Sequence, residues 1–132
     1  MVGSLNLAEL VKLENVVIGG GGSSADGGGG GGVIGSATFS ARAPFHNNPI
    51  GTLHGGCQAM LAEQLGAKCA SEGPLPMSLG AIQVSFFRAG AGQISLDAHA
   101  DDAGAGKIST SIDLTNAQGK LISQASLSWN QH

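Results

Sequence analysis

The clearest pattern in the chain lies in its second half, where four stretches of alternating apolar and polar residues are separated by short turn signals. They run Leu79–Arg88, Gln93–Ala100, Lys107–Asn116 and Lys120–Trp129, and the alternation is most regular where Ile108, Thr110, Ile112 and Leu114 interleave with Ser109, Ser111 and Asp113. A period of two puts alternate side chains on opposite faces, so each stretch is predicted to be a strand with one buried face. Turn residues fall at Ala89-Gly90-Ala91-Gly92, from Asp101 to Gly106, and at Asn116-Ala117-Gln118-Gly119. Connections this short predict an antiparallel meander.

Upstream, Leu5 to Leu13 has the apolar spacing of a short amphipathic helix, and Glu14–Ile18 and Val33–Ala43 read as strands. Between them lie Gly19 to Gly22, Ser23-Ser24-Ala25-Asp26 and the glycines Gly27 to Gly32. Glycine loses the most conformational freedom on ordering and has nothing to pack, so residues 19–32 are expected to form a flexible surface loop joining two hairpin strands. A phosphate-binding loop would need a Lys-Ser/Thr ending or spaced glycines, and neither is present. Gly55 to Ser71 reads as a helix, with Pro74 and Pro76 punctuating its end. Two strands, one helix and four further strands make an α+β domain in which the sheet must cover the helix.

That helix is the informative segment. Cys57, Ala59, Met60, Leu61, Ala62, Leu65, Gly66, Ala67, Cys69 and Ala70 lie around nearly its whole circumference, which predicts burial on all sides. Glu63 is then the anomaly. Its neighbours one turn away are Ala59, Met60, Gly66 and Ala67, so no local cation pairs with it, and a carboxylate in an apolar setting is costly unless it serves a function. The alternative is that Glu63 emerges at a helix edge facing water. The preceding loop, Asn47-Asn48-Pro49-Ile50-Gly51, leads into His54-Gly55-Gly56. Two glycines opening a helix leave its first N–H groups accessible, a geometry that polarises a carbonyl or holds an anion. His54 by itself reads as a loop-anchoring hydrogen-bond group sooner than as an acid–base group.

Composition narrows the field. The 132 residues are one domain by length, charged residues make up only 11%, and the formal charge is −3. Scarce charge suggests surface lost to subunit association. Scattered Lys and Arg give no reason to expect nucleic acid. No apolar run is long enough for a membrane span, and Met1 to Glu14 lacks a secretory pattern. Cys57 and Cys69 are about 18 Å apart along a helix, beyond disulfide reach. They read as free thiols in a reducing compartment, cytoplasmic or an organelle matrix. His46, His54 and His99 have no recognised metal-ligand spacing, so no metal is expected.

The run from Asn48 through Gly51 and His54-Gly55-Gly56 to Glu63 resembles the hotdog-fold acyl-CoA thioesterases of the phenylacetate-pathway and hydroxybenzoyl-CoA type. Val84-Ser85-Phe86-Phe87-Arg88-Ala89 is similar to that family's strand ending in Phe-x-Arg-Pro, with Ala89 replacing the proline, and Gly119 to Ala125 resembles its last hairpin. The resemblance covers residues 33–129. It implies a sheet wrapped around one central helix and hydrolysis of a coenzyme A thioester, with no separate cofactor. A non-catalytic acyl-CoA- or lipid-binding protein of the same fold is the alternative. In this correspondence Glu63 is the nucleophile or general base, Gly55 the backbone donor to the carbonyl, and Asn48 the amide beside it. His54 belongs to the same motif. Gly56, Gln64, Leu79 and Arg88 match substrate-binding positions. Ala67 stands where a Ser or Thr often holds water, which leaves Ser78 as the candidate hydroxyl.

Independently of the resemblance, Gly55 and Glu63 are about 12 Å apart along the helix axis. One carbonyl cannot reach both. Two antiparallel copies of the helix can bring one copy's Gly55 end to the other's Glu63, so a homodimer, or a dimer of dimers, is expected.

Overall fold

The computed structural model describes residues 13–20, 33–40, 55–71, 77–90 and 92–131. Its elements are β1 (Glu14–Gly20), β2 (Val33–Ser40), α1 (Gly55–Ala70), β3 (Met77–Phe86), β4 (Gln93–Gly104), β5 (Lys107–Thr115) and β6 (Leu121–Gln131). The strands form one antiparallel sheet in the order β1-β2-β4-β5-β6-β3, and α1 packs across it. This is the expected α+β, helix-on-sheet architecture. The anticipated helix at Leu5–Leu13 and the bulk of the glycine tract lie outside the described residues.

Alternation decides what each strand buries. Ile94, Leu96, Ala98 and Ala100 of β4, Thr110, Ile112 and Leu114 of β5, and Ala125, Leu127 and Trp129 of β6 all face α1 and are buried. Leu61 and Leu65 of α1 close onto them with no solvent exposure, each side chain contributing about 1.5–3 kcal/mol on removal from water. Gly66 permits the close approach: a methyl group built on it would lie 3.2 Å from both Thr110 Oγ1 and Trp129 Cζ2. The opposite face of the sheet carries Asp97, Ser109, Ser111, Gln124, Ser126 and Ser128, all exposed. The low charge of the chain therefore reflects, in part, a solvent face built from serine.

Three expectations need correcting. The last four strands are not a simple meander: β4, β5 and β6 are, but β3 pairs with β6 at the far edge. The connection from Phe87 to Gly92 therefore crosses the end of the sheet, a span of about 14 Å at the usual strand spacing, which its length can bridge. It is tied to β6 there, with the Phe87 and Arg88 N–H groups donating to the Ile122 carbonyl at 2.8 and 3.3 Å. The turn expected over Asp101 to Gly106 shrinks to Ala105-Gly106, because β4 continues to Gly104. Both turn residues have positive φ (55° and 77°), as a tight two-residue hairpin requires. Likewise β1 runs on through Gly19 and Gly20, which pair with Ile34 and Val33.

The third correction concerns the helix, which is not buried all round. Gln58, Leu61, Ala62, Leu65, Gly66, Cys69 and Ala70 face the sheet, whereas Gly56, Glu63 and Lys68 are exposed. The apolar residues on the outward side are Ala59, Met60 and Ala67, all half-buried. Counting such small residues as apolar made a one-sided helix look uniformly buried.

Candidate active site

The N-terminus of α1 sits over the end of the sheet where β3 finishes. A methyl group built on Gly55 would lie 3.3 Å from Cζ of Phe86, so the aromatic ring packs against the first turn of the helix. Phe86 is nonetheless 55% exposed, because among the described residues β3 is an edge strand with no neighbour beyond it. Ile82 and Phe87 are similarly open at 40% and 54%. Phe86 is paired with Ser123 of β6, which is fully buried. One end of the molecule thus brings together the opening glycines of α1, an exposed apolar edge and a buried hydroxyl.

Two turns along, Glu63 points away from the sheet and is exposed in the single chain. It stands on a stripe with Gly56, Ala59, Met60 and Ala67, so no cation lies one turn from it on the helix. Its exposure shows that, in one chain, this carboxylate is not the buried, costly group that an all-round apolar helix implied. Gly55 and Glu63 remain about 12 Å apart along the axis, and the fold does not bring them to one point within a chain.

The other anticipated residues divide. Gly56 is exposed at the start of α1, and Gln64 is half-buried beside Glu63. Leu79 is half-buried against the core, paired with Trp129 on the helix side of the sheet. Arg88 lies two residues beyond Phe86, exposed, with Nε donating to the Leu121 carbonyl at 2.9 Å. Ser78 pairs with Asn130, whose neighbour Trp129 faces inward, so Ser78 lies on the face turned away from α1. The structure does not bring it to the helix. Asn48 and His54 are outside the described residues.

Of the cysteines, Cys69 is buried under β2 and Cys57 half-buried near the helix start, and neither is in a disulfide. Burial pushes the Cys57 thiol above its ordinary range. His99 is exposed on the outer face, 3.0 Å from the Asp101 carboxylate. No helix among the described residues is long and apolar enough to cross a membrane. Sequence reasoning passed over Phe86 and Ser123. Ser123 carried a signal, since it occupies an inward register with Ala125, Leu127 and Trp129 and is the polar member of that row.

The architecture is that of the hotdog fold. Among solved structures, the chain is similar to yhdA of Lactococcus lactis, at TM-score 0.85 and 17% identity over 96% of this chain and 98% of that one. It is similar also to the PaaI protein of the Escherichia coli phenylacetic acid degradation operon, at TM-score 0.70 and 20% identity over 75% and 72%. A hypothetical thioesterase from Streptococcus pneumoniae, solved with coenzyme A, matches at TM-score 0.69 and 18% identity over 89% of each chain. No protein-family model matches the chain, and no curated protein sequence does.

Proposed function

We propose that the protein hydrolyses acyl thioesters of coenzyme A at a site completed by a second copy of itself. The observation that carries this reading is the placement of Glu63: the one carboxylate of α1, outward-facing, on a stripe of small residues that lets another helix approach, and about 12 Å from the Gly55 end. Two antiparallel helices would set each Glu63 against the partner's Gly55. The apolar edge of β3, with Ile82, Phe86 and Phe87 open beside an unpaired strand, supports association there, since such an edge is a ready template for another chain. The likeness to a thioesterase solved with coenzyme A supports the choice of thioester.

In this reading the Gly55 N–H, at the positive end of the helix, steadies the negative charge that develops on the thioester oxygen. Asn48 donates beside it. Glu63 either draws a proton from the attacking water or attacks the carbonyl carbon itself. The tetrahedral intermediate collapses, the C–S bond breaks, and coenzyme A leaves as a thiolate that is then protonated; attack by water gives the free acid directly, whereas attack by Glu63 gives an anhydride on Glu63 that a water then hydrolyses to the free acid and the regenerated carboxylate. In the same reading Arg88, exposed two residues past Phe86, meets the coenzyme A phosphates.

Release of free thiol from a panel of aromatic and fatty acyl-CoAs is the test. Turnover of at least one, abolished by Glu63→Gln with the melting temperature retained, is the expected result. Gln keeps the shape of Glu, so loss reports on the charge. Binding without turnover would support the non-catalytic alternative instead, and retention of most of kcat in Glu63→Gln would refute the role given to Glu63.

A further inference from the structure

Ser123 has a hydroxyl that the fold does not use. Its Oγ is fully buried, and among the described residues no hydrogen-bond partner lies within reach of it. A buried hydroxyl without a partner opposes folding, and the next inward position of the same strand is filled by alanine, Ala125. Packing alone therefore gives no reason for a serine here. Thr110, a buried hydroxyl on the neighbouring strand, behaves otherwise: it accepts a hydrogen bond from Trp129 Nε1 at 3.0 Å.

Position supplies the reason. Ser123 pairs with Phe86 across the β3–β6 ladder and with Leu114 across the β5–β6 ladder, on the face turned toward α1. The Phe86 ring in turn closes on Gly55. The hydroxyl thus lies beneath the N-terminus of α1, one side chain removed from where the proposed reaction holds its carbonyl. Phe86 is also the residue between Ser123 and the β3 edge where the second copy is proposed to join, and its ring, 55% exposed in the single chain, can turn by a rotamer change without disturbing the core and so open Ser123 to the site shared by the two copies. An acyl chain entering between the helix start and the strand ends would pass the ring and meet Ser123. Ser123 and Phe86 stand about 5 Å apart as a directly paired set, and the Phe86 ring lies 3.3 Å from a methyl group built on Gly55, so an acyl chain whose carbonyl is held at Gly55 would meet the hydroxyl within its first few carbons.

We infer that Ser123 is a specificity-determining residue, whose hydroxyl hydrogen-bonds a hydroxyl or oxo group on the β-carbon of the acyl chain. The preferred substrates are then β-hydroxyacyl and β-oxoacyl thioesters, not unsubstituted fatty acyl thioesters. This rests on the thioester reading above, and the test separates the two. β-Hydroxybutyryl-CoA and butyryl-CoA differ only by the hydroxyl. Wild type should favour the first in kcat/KM by about tenfold or more, because a site built for a hydroxyl discriminates against an analogue that lacks it. Ser123→Ala should erase the preference by lowering kcat/KM for the hydroxylated substrate, and its Tm should equal or exceed that of wild type.

The same preference should appear in calorimetric binding of the two thioesters to Glu63→Gln, and disappear in Glu63→Gln/Ser123→Ala. If neither thioester is turned over by wild type yet this binding difference stands, the catalytic reading fails and the role of Ser123 survives. Equal treatment of the two thioesters in both assays overturns the inference. So does a Ser123→Ala variant that melts lower, which would mean that the hydroxyl is satisfied within the protein.

Discussion

The hydrogen bond between Trp129 and Thr110 holds the seat on which the helix rests. Trp129 Nε1 donates to Thr110 Oγ1 at 3.0 Å with both residues buried, and Gly66 packs directly onto the pair. Thr110→Val keeps the branched shape and removes the acceptor, leaving the indole N–H buried without a partner. The desolvation penalty of such a group is about 1–3 kcal/mol, and the added methyl offsets roughly 0.8 kcal/mol of that. A net loss of about 0.2–2.2 kcal/mol remains. Unfolding entropies near 2.1 cal/mol/K per residue make 1 kcal/mol worth about 4 °C for a chain of this length, so Tm should fall by about 1–8 °C. Thermal unfolding followed by circular dichroism would measure it. In a Trp129→Phe background the donor is absent, and Thr110→Val should then cost nothing, which isolates the bond from the change in packing. A Thr110→Val protein melting at or above wild type, or losing as much in both backgrounds, would refute the reasoning.

Two other outcomes are expected. A methyl group built on Gly35 would lie 2.7 Å from Cys69 Sγ and 2.9 Å from Ile18 Cδ1, so Gly35→Ala should lower stability to urea by about 1–3 kcal/mol through overpacking. Cys69→Ala should recover part of that loss in the double variant. Burial raises the Cys57 thiol above its usual range, so the protonated form persists at neutral pH. Alkylation of Cys57, followed by mass spectrometry, should therefore be slower at pH 7–8 than for a free thiol and should accelerate only at higher pH.

How much of this was legible in the sequence varies with the range of the interaction involved. The row Thr110, Ile112 and Leu114 was readable because alternation is a local property, and the structure buries all three. The α+β order, the helix starting at Gly55 and the turn at Asn116 to Gly119 were readable for the same reason. At that turn, Asn116 Oδ1 accepts from the N–H groups of Gln118 and Lys120 at 3.0 and 2.9 Å.

Pairing of β3 with β6 instead of β4 was not legible, since a short connection does not specify which strand its ends join. Nor was the exposed side of α1, where Ala59, Met60 and Ala67 look like core residues until the sheet is seen to cover one face. For the site, Glu63 and Gly55 stood out by type and position, whereas the register sets Ser78 with Asn130 on the face turned away from its own α1, a relation that sequence alone does not give. Phe86 and Ser123 meet only because β3 lies at the edge beside β6, a relation set by long-range topology.

The central claim is a site shared between two copies, and subunit mixing tests it most directly. Glu63→Gln and Asn48→Ala proteins, each inactive or nearly so alone, are combined under conditions that exchange subunits, and thioester hydrolysis is followed with exchange verified independently. Each hybrid dimer should hold one site with both lesions and one with neither, so activity should reappear in the mixture. Verified exchange with no recovery of activity would contradict the account, because Glu63 and Asn48 would then have to act within a single chain.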